Sequence, residues 1–147
     1  MQPGYGVRMK GRFDLTIQAD ISGLPAVLDG IAILLEEVGF PFELISDVQL
    51  ATDEAVTNAI VHGYDGKPGE VRVHAEADDQ EVMVTVEDQA TEFDPIRFIP
   101  RDVSKDGEDR PIGGLGIILI RNVMDEVSYC REAGTNKFSM VKRRNTA

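Results

Sequence analysis

The stretch LATDEAVTNAIVHGY, residues 50–64, decides the fold because it combines an apolar helical pattern with regularly spaced polar residues. Glu54, Asn58 and His62 follow one another at the spacing that places side chains along one helix face. On a wheel of roughly 100° per residue with Ala51 at zero, Asn58 falls at about -20° and Glu54 at about -60°. The apolar stripe spans about 20° to 80°, so both polar groups are predicted at its inward edge.

Two interpretations of this polar pair stay open. Glu54 is either an edge residue that reaches water or a ligand contact, and Asn58 is either a satisfied core amide or a ligand contact, because inward polar groups need a partner. An amide oxygen suits Mg²⁺, and a carboxylate one turn earlier can polarise a hydroxyl aimed at a phosphate. His62 is predicted to interact with the dipole at the helix end.

The elements that precede this helix follow from periodicity. Alternation of apolar and polar residues over 12–18 predicts a half-buried strand. Helical spacing over 24–38 then predicts an amphipathic helix with Ser22 as its N-cap, Pro25 in its first turn and Gly39 at its end.

The polar helix itself is predicted from about Glu43 to His62, with Gly63 as a left-handed C-cap. Alternating valines at 71–75 and 82–86 predict two strands, and Asp78 and Asp79 form the turn between them. So short a link favours antiparallel pairing.

The rest of the chain completes one layer of helices on one sheet. Residues 96–112 lack periodicity and are predicted to be a mobile lid, whereas the segment after Gly116 is an apolar helix. Strands near 126–131 and 137–141 close the domain, and residues 1–11 are predicted to be a flexible N-terminus. The order predicts an α+β, two-layer sandwich with a mixed, mainly antiparallel sheet and helices on one face.

Length and composition exclude several classes of protein. With 147 residues and 42% hydrophobic composition, residues 1–147 are expected to form a single domain. A net charge of -11 argues against a nucleic-acid partner, and the basic run 142–144 is predicted to be a solvated tail. No apolar stretch is long enough for a membrane span, which favours the cytoplasm. Cys130 is the only cysteine, so no intramolecular disulfide forms.

Two further features carry chemistry. The turn Gly113-Gly114-Leu115-Gly116 removes side chains where backbone N–H groups approach phosphate oxygens, although glycines also permit tight helix packing. Asp88 ends a predicted strand, where its carboxylate either accepts from the amino group of a base or is an ordinary turn residue.

Together, Glu54 with Asn58, Asp88, and Gly114 with Gly116 resemble the N, G1 and G2 boxes of the Bergerat-type, histidine-kinase-like ATP-binding fold. Within it, the runs 53–60, 113–117 and 124–127 look like those of the anti-sigma factor serine/threonine kinases, the partner-switching regulators of bacteria. The resemblance extends from Phe13 to Lys142.

The resemblance implies a role for each residue. Asn58 would hold Mg²⁺ of bound ATP, Glu54 would be the general base for a protein hydroxyl, and Asp88 would bind the adenine amino group. Gly113, Gly114, Leu115 and Gly116 would surround the phosphates beneath the 96–112 lid. Family members phosphorylate a STAS-type anti-anti-sigma protein, sequester a sigma factor or similar target, and usually form a homodimer.

One departure from the family pattern supports a second hypothesis. The G1 box reads Asp-x-Gly-x-Gly, but residues 88–92 are Asp-Gln-Ala-Thr-Glu. If position 90 requires a positive φ or a close approach of the backbone to the base, Ala90 is strained and adds a methyl group, and nucleotide binding is weakened. The alternative is therefore a non-catalytic protein-binding module of the same fold with weakened or lost nucleotide binding. A third hypothesis, hydrolysis that drives a conformational change, lacks a transducer domain.

Overall fold

The computed structural model describes residues 10–92, 94–96 and 114–145. Within these residues one sheet of five strands forms, and all four strand pairings are antiparallel. In chain order the strands are β1 (Gly11–Gln18), β2 (Glu70–Ala77), β3 (Glu81–Asp88), β4 (Glu126–Glu132) and β5 (Thr135–Arg143). Their order in the sheet is β1-β2-β3-β5-β4, so β5 lies between β3 and β4.

A layer of helices covers one face of this sheet. The helices are α1 (Leu24–Glu37), α2 (Phe42–Thr57) and α3 (Gly114–Val123), and α2 packs against both of the others. Alternate residues of the central strands, among them Val73 and Val84, are fully buried beneath them. The period-two pattern of the valines predicts this buried face. The sheet with its single layer of helices confirms the predicted two-layer α+β fold.

The start of α1 differs from its prediction. Ser22 is not the N-cap, because its backbone N–H instead donates to the Asp20 carboxylate over 3.0 Å. Asp20 thus caps a short 3₁₀ turn (Ile21–Gly23) that leads into α1. Gly39 does end the helix, with a φ of 89° that glycine adopts without strain.

The end of α2 also differs. Regular α-helix stops at Thr57, and the next turns, Asn58–Tyr64, are π-helical. Gly63 is not the left-handed C-cap, because the residue with a left-handed φ is Asp65, at 51°. The spacing of apolar residues in the sequence does not distinguish a π segment from an α-helix, because the same residues fit both windings.

Tyr64 fixes the end of this π segment. Its side chain is buried, and its hydroxyl donates to the Glu70 carbonyl oxygen over 2.6 Å and accepts from the Gln89 N–H over 3.0 Å. A Cβ on Gly69 would lie 2.1 Å from the Tyr64 ring, so this glycine makes room for it. The π segment is therefore tied to the loop that follows β3.

Lys142 joins β5 to two helices, which corrects its assignment to a solvated tail. Its ammonium donates to the Val123 carbonyl oxygen over 2.6 Å and lies 3.5 Å from an Asp47 carboxylate oxygen. The contact satisfies a carbonyl at the C-terminal end of α3 and fixes this helix against α2.

Two predictions concern the N-terminus and the lid. Residues 1–9 lie outside the described residues, but Gly11 begins β1 and is not part of a flexible terminus. Positions 97–112 of the predicted lid also lie outside them.

Across the part of the chain that the structure describes, no helix has the length and hydrophobicity needed to cross a membrane.

Candidate functional site

A cleft of about 470 Å³, including its open mouth, lies between α2, the end of β3, α3 and the β4–β5 hairpin. Its walls are mainly apolar, with a few polar groups at defined points, which is the usual composition of a small-molecule site. Its lining residues are Ala55, Asn58, Ala59, Gly63, Val86, Asp88, Thr91, Pro95, Ile120, Tyr129, Asn136 and Phe138. The fold thus brings Asn58 and Asp88, which are distant in sequence, into one cleft.

Asn58 lies where α2 changes to the π winding. Its backbone N–H donates to the carbonyl oxygens of Glu54 and Ala55. The Glu54 and Asn58 side chains are both partly exposed, so the predicted position at the edge of the buried stripe is confirmed. The π segment begins at Asn58, and π segments within helices are frequent at functional sites.

Gly116 brings α3 against this polar pair. A Cβ built on Gly116 would lie 2.9 Å from Glu54 Oε2 and 3.2 Å from Asn58 Nδ2. Any side chain at this position would therefore occupy the space in front of the carboxylate and the amide. The absence of a side chain lets the first turn of α3 and the polar edge of α2 form one surface.

The glycine turn is only partly described. Gly114, Leu115 and Gly116 belong to the first turn of α3, so they form the helix start rather than a loop before it, which corrects the prediction. Gly113 lies outside the described residues. The N–H groups in the first turn of a helix have no partner within that helix and are suited to binding anions. The predicted phosphate-binding role of these residues is therefore compatible with their position at the helix start.

Asp88 also lines the cleft and is the last residue of β3. Its Oδ1 accepts from the Ala90 N–H over 2.9 Å and from Asn136 Nδ2 over 2.8 Å. Its Oδ2 has no hydrogen-bond partner within the described part of the chain. One carboxylate oxygen is thus held by the protein, and the other is free to accept a hydrogen bond.

Ala90 occupies the position where the family pattern has its first glycine, and it is not strained. Among the described residues, the only non-glycine residues with positive φ are Asp65 and Ala133. The Ala90 methyl group faces Gly63, where an added Cβ would lie 3.1 Å away. The glycine in the π segment therefore provides the room that alanine at position 90 requires.

Three residues at the site, Tyr129, Arg131 and Asn136, were not predicted from the sequence. Asn136 is 5% exposed, and its Oδ1 accepts from the Tyr129 hydroxyl over 2.6 Å and from the Arg131 guanidinium over 2.8 Å. A polar residue at an inward position of β5, in register with Phe138 and Met140, was the available signal. The sequence could not show that Asp88 is its partner, because the two residues meet only through the pairing of β5 with β3.

The donor set fits a nucleotide with Mg²⁺ better than a dedicated metal centre. No group of three or more His, Cys, Asp or Glu residues suited to a metal is found among residues 10–92, 94–96 and 114–145. Asn58 provides a neutral oxygen beside the side-chain-free surface of Gly116. Mg²⁺ commonly takes one or two protein oxygens and completes its shell with water and phosphate oxygens.

Comparisons with known proteins identify the family of the chain. Residues 17–142 match a family model described as the histidine kinase-like ATPase domain. The chain is 36% identical over 114 residues to a serine-protein kinase RsbW of Listeria monocytogenes, which covers 74% of this chain and 71% of the relative. It is 30% identical over 114 residues to an anti-sigma F factor of Clostridium acetobutylicum, with 78% and 80% covered.

A solved structure shows the same fold. The structure contains the RsbU and RsbW domains of a Mycobacterium tuberculosis protein and superposes with a TM-score of 0.66 at 20% identity. The match covers 93% of this chain and 34% of that one, so the chain spans about a third of its length.

Proposed function

We propose that this chain is an ATP-dependent serine/threonine kinase, because it belongs to the histidine kinase-like ATPase domain family and its relatives include serine-protein kinases and anti-sigma factors. Its substrate is a STAS-type anti-anti-sigma protein, and its regulated target is a sigma factor or similar protein. The observation that carries the proposal is the close approach of Gly116 to Glu54 and Asn58, where Asn58 also lines the cleft that contains Asp88.

Adenine recognition is assigned to Asp88. Its Oδ2 accepts from the exocyclic amino group, because Oδ1 is already engaged by Ala90 and Asn136. The base lies between apolar side chains of the cleft, such as Val86 and Phe138, which remove it from water.

Phosphoryl transfer is assigned to Glu54, Asn58 and the start of α3, where Gly116 lies close to both side chains. Asn58 would hold Mg²⁺ through its side-chain oxygen, and the ion would offset the charge of the phosphate oxygens. Glu54 accepts the proton of the substrate hydroxyl as its oxygen bonds to the γ-phosphorus and the bond to the leaving ADP oxygen breaks. Backbone N–H groups at the start of α3, with Gly113, orient the phosphates.

The non-catalytic alternative rests on the altered G1 box, in which residues 88–92 contain neither glycine of the family pattern. The ordinary φ of Ala90 and its contact with Gly63 support retained nucleotide binding. No observation favours that alternative.

Phosphate transfer from labelled ATP with Mg²⁺ to a STAS-type partner tests the proposal. Asn58→Ala should reduce transfer to background, whereas Asn122→Ala, which removes an exposed amide from α3, should leave it unchanged. Transfer that persists in Asn58→Ala contradicts the assignment. Calorimetry with ADP and Mg²⁺ that detects no binding at millimolar nucleotide would instead favour the non-catalytic module.

We propose further that the protein acts in the cytoplasm as a homodimer. Light scattering coupled to gel filtration measures the mass directly, and a monomer at micromolar concentration contradicts this assembly.

A further inference from the structure

The loop that follows Asp88 is fastened to the β4–β5 hairpin by side chains of that hairpin. The Ala90 carbonyl oxygen accepts from Arg131 over 3.0 Å and from Asn136 over 3.3 Å. The Thr91 carbonyl oxygen accepts from Asn136 over 3.2 Å. Both backbone carbonyls are thus held by the hairpin.

Strand order explains why these groups meet. Asp88 lies opposite Asn136 in the β3–β5 pairing, and Asn136 lies opposite Arg131 in the β4–β5 pairing. The three side chains form one row across three adjacent strands. Asn136 sits at its centre and uses both ends of its amide, with Nδ2 toward Asp88 and the loop and Oδ1 toward Arg131.

The row fixes the carboxylate on which base recognition depends. Asp88 Oδ1 is engaged by Asn136, so Oδ2 is the oxygen left for an amino group. The guanidinium of Arg131 and the hydroxyl of Tyr129 both orient the Asn136 amide by donating to Oδ1. Without the guanidinium, the amide loses one of the bonds that specify its orientation.

On the basis of the proposed function, we propose that Arg131 and Asn136 are positioning residues that hold Asp88 to accept the amino group of adenine.

The test compares ATP with purine riboside triphosphate, which lacks the amino group. Calorimetry would measure both nucleotides with Mg²⁺ on the wild type and on Arg131→Met, which keeps an apolar stem and removes the donors. ATP affinity should fall about tenfold, the order of one hydrogen bond to a charged group, while purine riboside triphosphate affinity changes less than twofold. A purely structural role would weaken both nucleotides equally and overturns the proposal.

Two further variants complete the design. Lys137→Met removes a cation from the same hairpin, where Lys137 lies 3.8 Å from Glu132, and should leave the ratio of the two affinities unchanged. Asn136→Leu, with its folding checked by circular dichroism, should abolish the preference for ATP. Retention of that preference in a folded Asn136→Leu protein overturns the proposal.

The outcomes also separate this inference from the proposed function. A wild type that binds neither nucleotide contradicts both. A wild type that prefers ATP, with Arg131→Met showing the same preference, contradicts only the positioning role.

Discussion

Gly116→Ala should separate activity from stability. The new methyl would lie 2.9 Å from Glu54 Oε2, and ordinary contact begins at 3.4 Å, so the carboxylate must move by 3.4 - 2.9, or 0.5 Å. Asn58 Nδ2, at 3.2 Å, must move by 0.2 Å on the same basis. Because a displacement of roughly 1 Å costs about a hundredfold in rate, we expect phosphate transfer to fall about tenfold.

Stability should change little or increase. Gly116 lies within α3 and has no positive φ, and alanine is favoured over glycine in a helix by about 1 kcal/mol. The clash is relieved by the flexible end of Glu54, so its cost to folding should be small. We expect the free energy of unfolding to stay within about 1 kcal/mol of the wild type.

The assay is urea unfolding paired with the initial rate of transfer from labelled ATP to the partner protein. Ile118→Ala is the control, because Ile118 lies on the same helix and is 43% exposed. Full activity in Gly116→Ala would refute the argument from geometry. Loss of activity together with a large loss of stability would show that the change acts through folding instead.

Two further predictions concern the loop and the sheet. Gly63→Ala places a Cβ 3.1 Å from that of Ala90, so a double-mutant cycle with Ala90→Gly, measured by urea unfolding, should show a coupling of about 0.5–1 kcal/mol; additive effects would contradict the contact. On the sheet, the hydrogen bond from Arg72 holds the pKa of Asp14 below its ordinary value of 3.8. The folded pKa is lowered, so the contribution to stability is present above pH 3.8 and is lost as pH falls through the folded pKa. Because the pair is exposed the contribution is small, and NMR titration should show the Asp14 midpoint rising toward 3.8 in Arg72→Leu.

The regular elements were largely predictable from the sequence because their signals are local. Alternating valines predicted β2 and β3, and helical spacing predicted α1 and most of α2. The errors lie at the helix ends. Asp20 rather than Ser22 makes the capping hydrogen bond, and α2 continues into a π segment whose last residue, buried Tyr64, is hydrogen-bonded to Glu70 and Gln89.

The candidate site was predictable only in part. The edge position of Glu54 and Asn58 follows from the helical wheel, and Asp88 follows from the end of its strand. The condition for backbone strain at Ala90 is not met, because its φ is not positive. The sequence also does not show that Gly63 lies opposite the Ala90 methyl group.

The sequence by itself determined the local elements and the chemical types of the groups, because periodicity and turn residues act over a few positions. Tertiary structure decided which of these groups meet. Placing β5 between β3 and β4 set Asn136 between Asp88 and Arg131, and packing α3 on α2 set Gly116 against Glu54 and Asn58. These contacts join residues far apart in the chain, so they depend on strand order and helix packing, which no local pattern specifies.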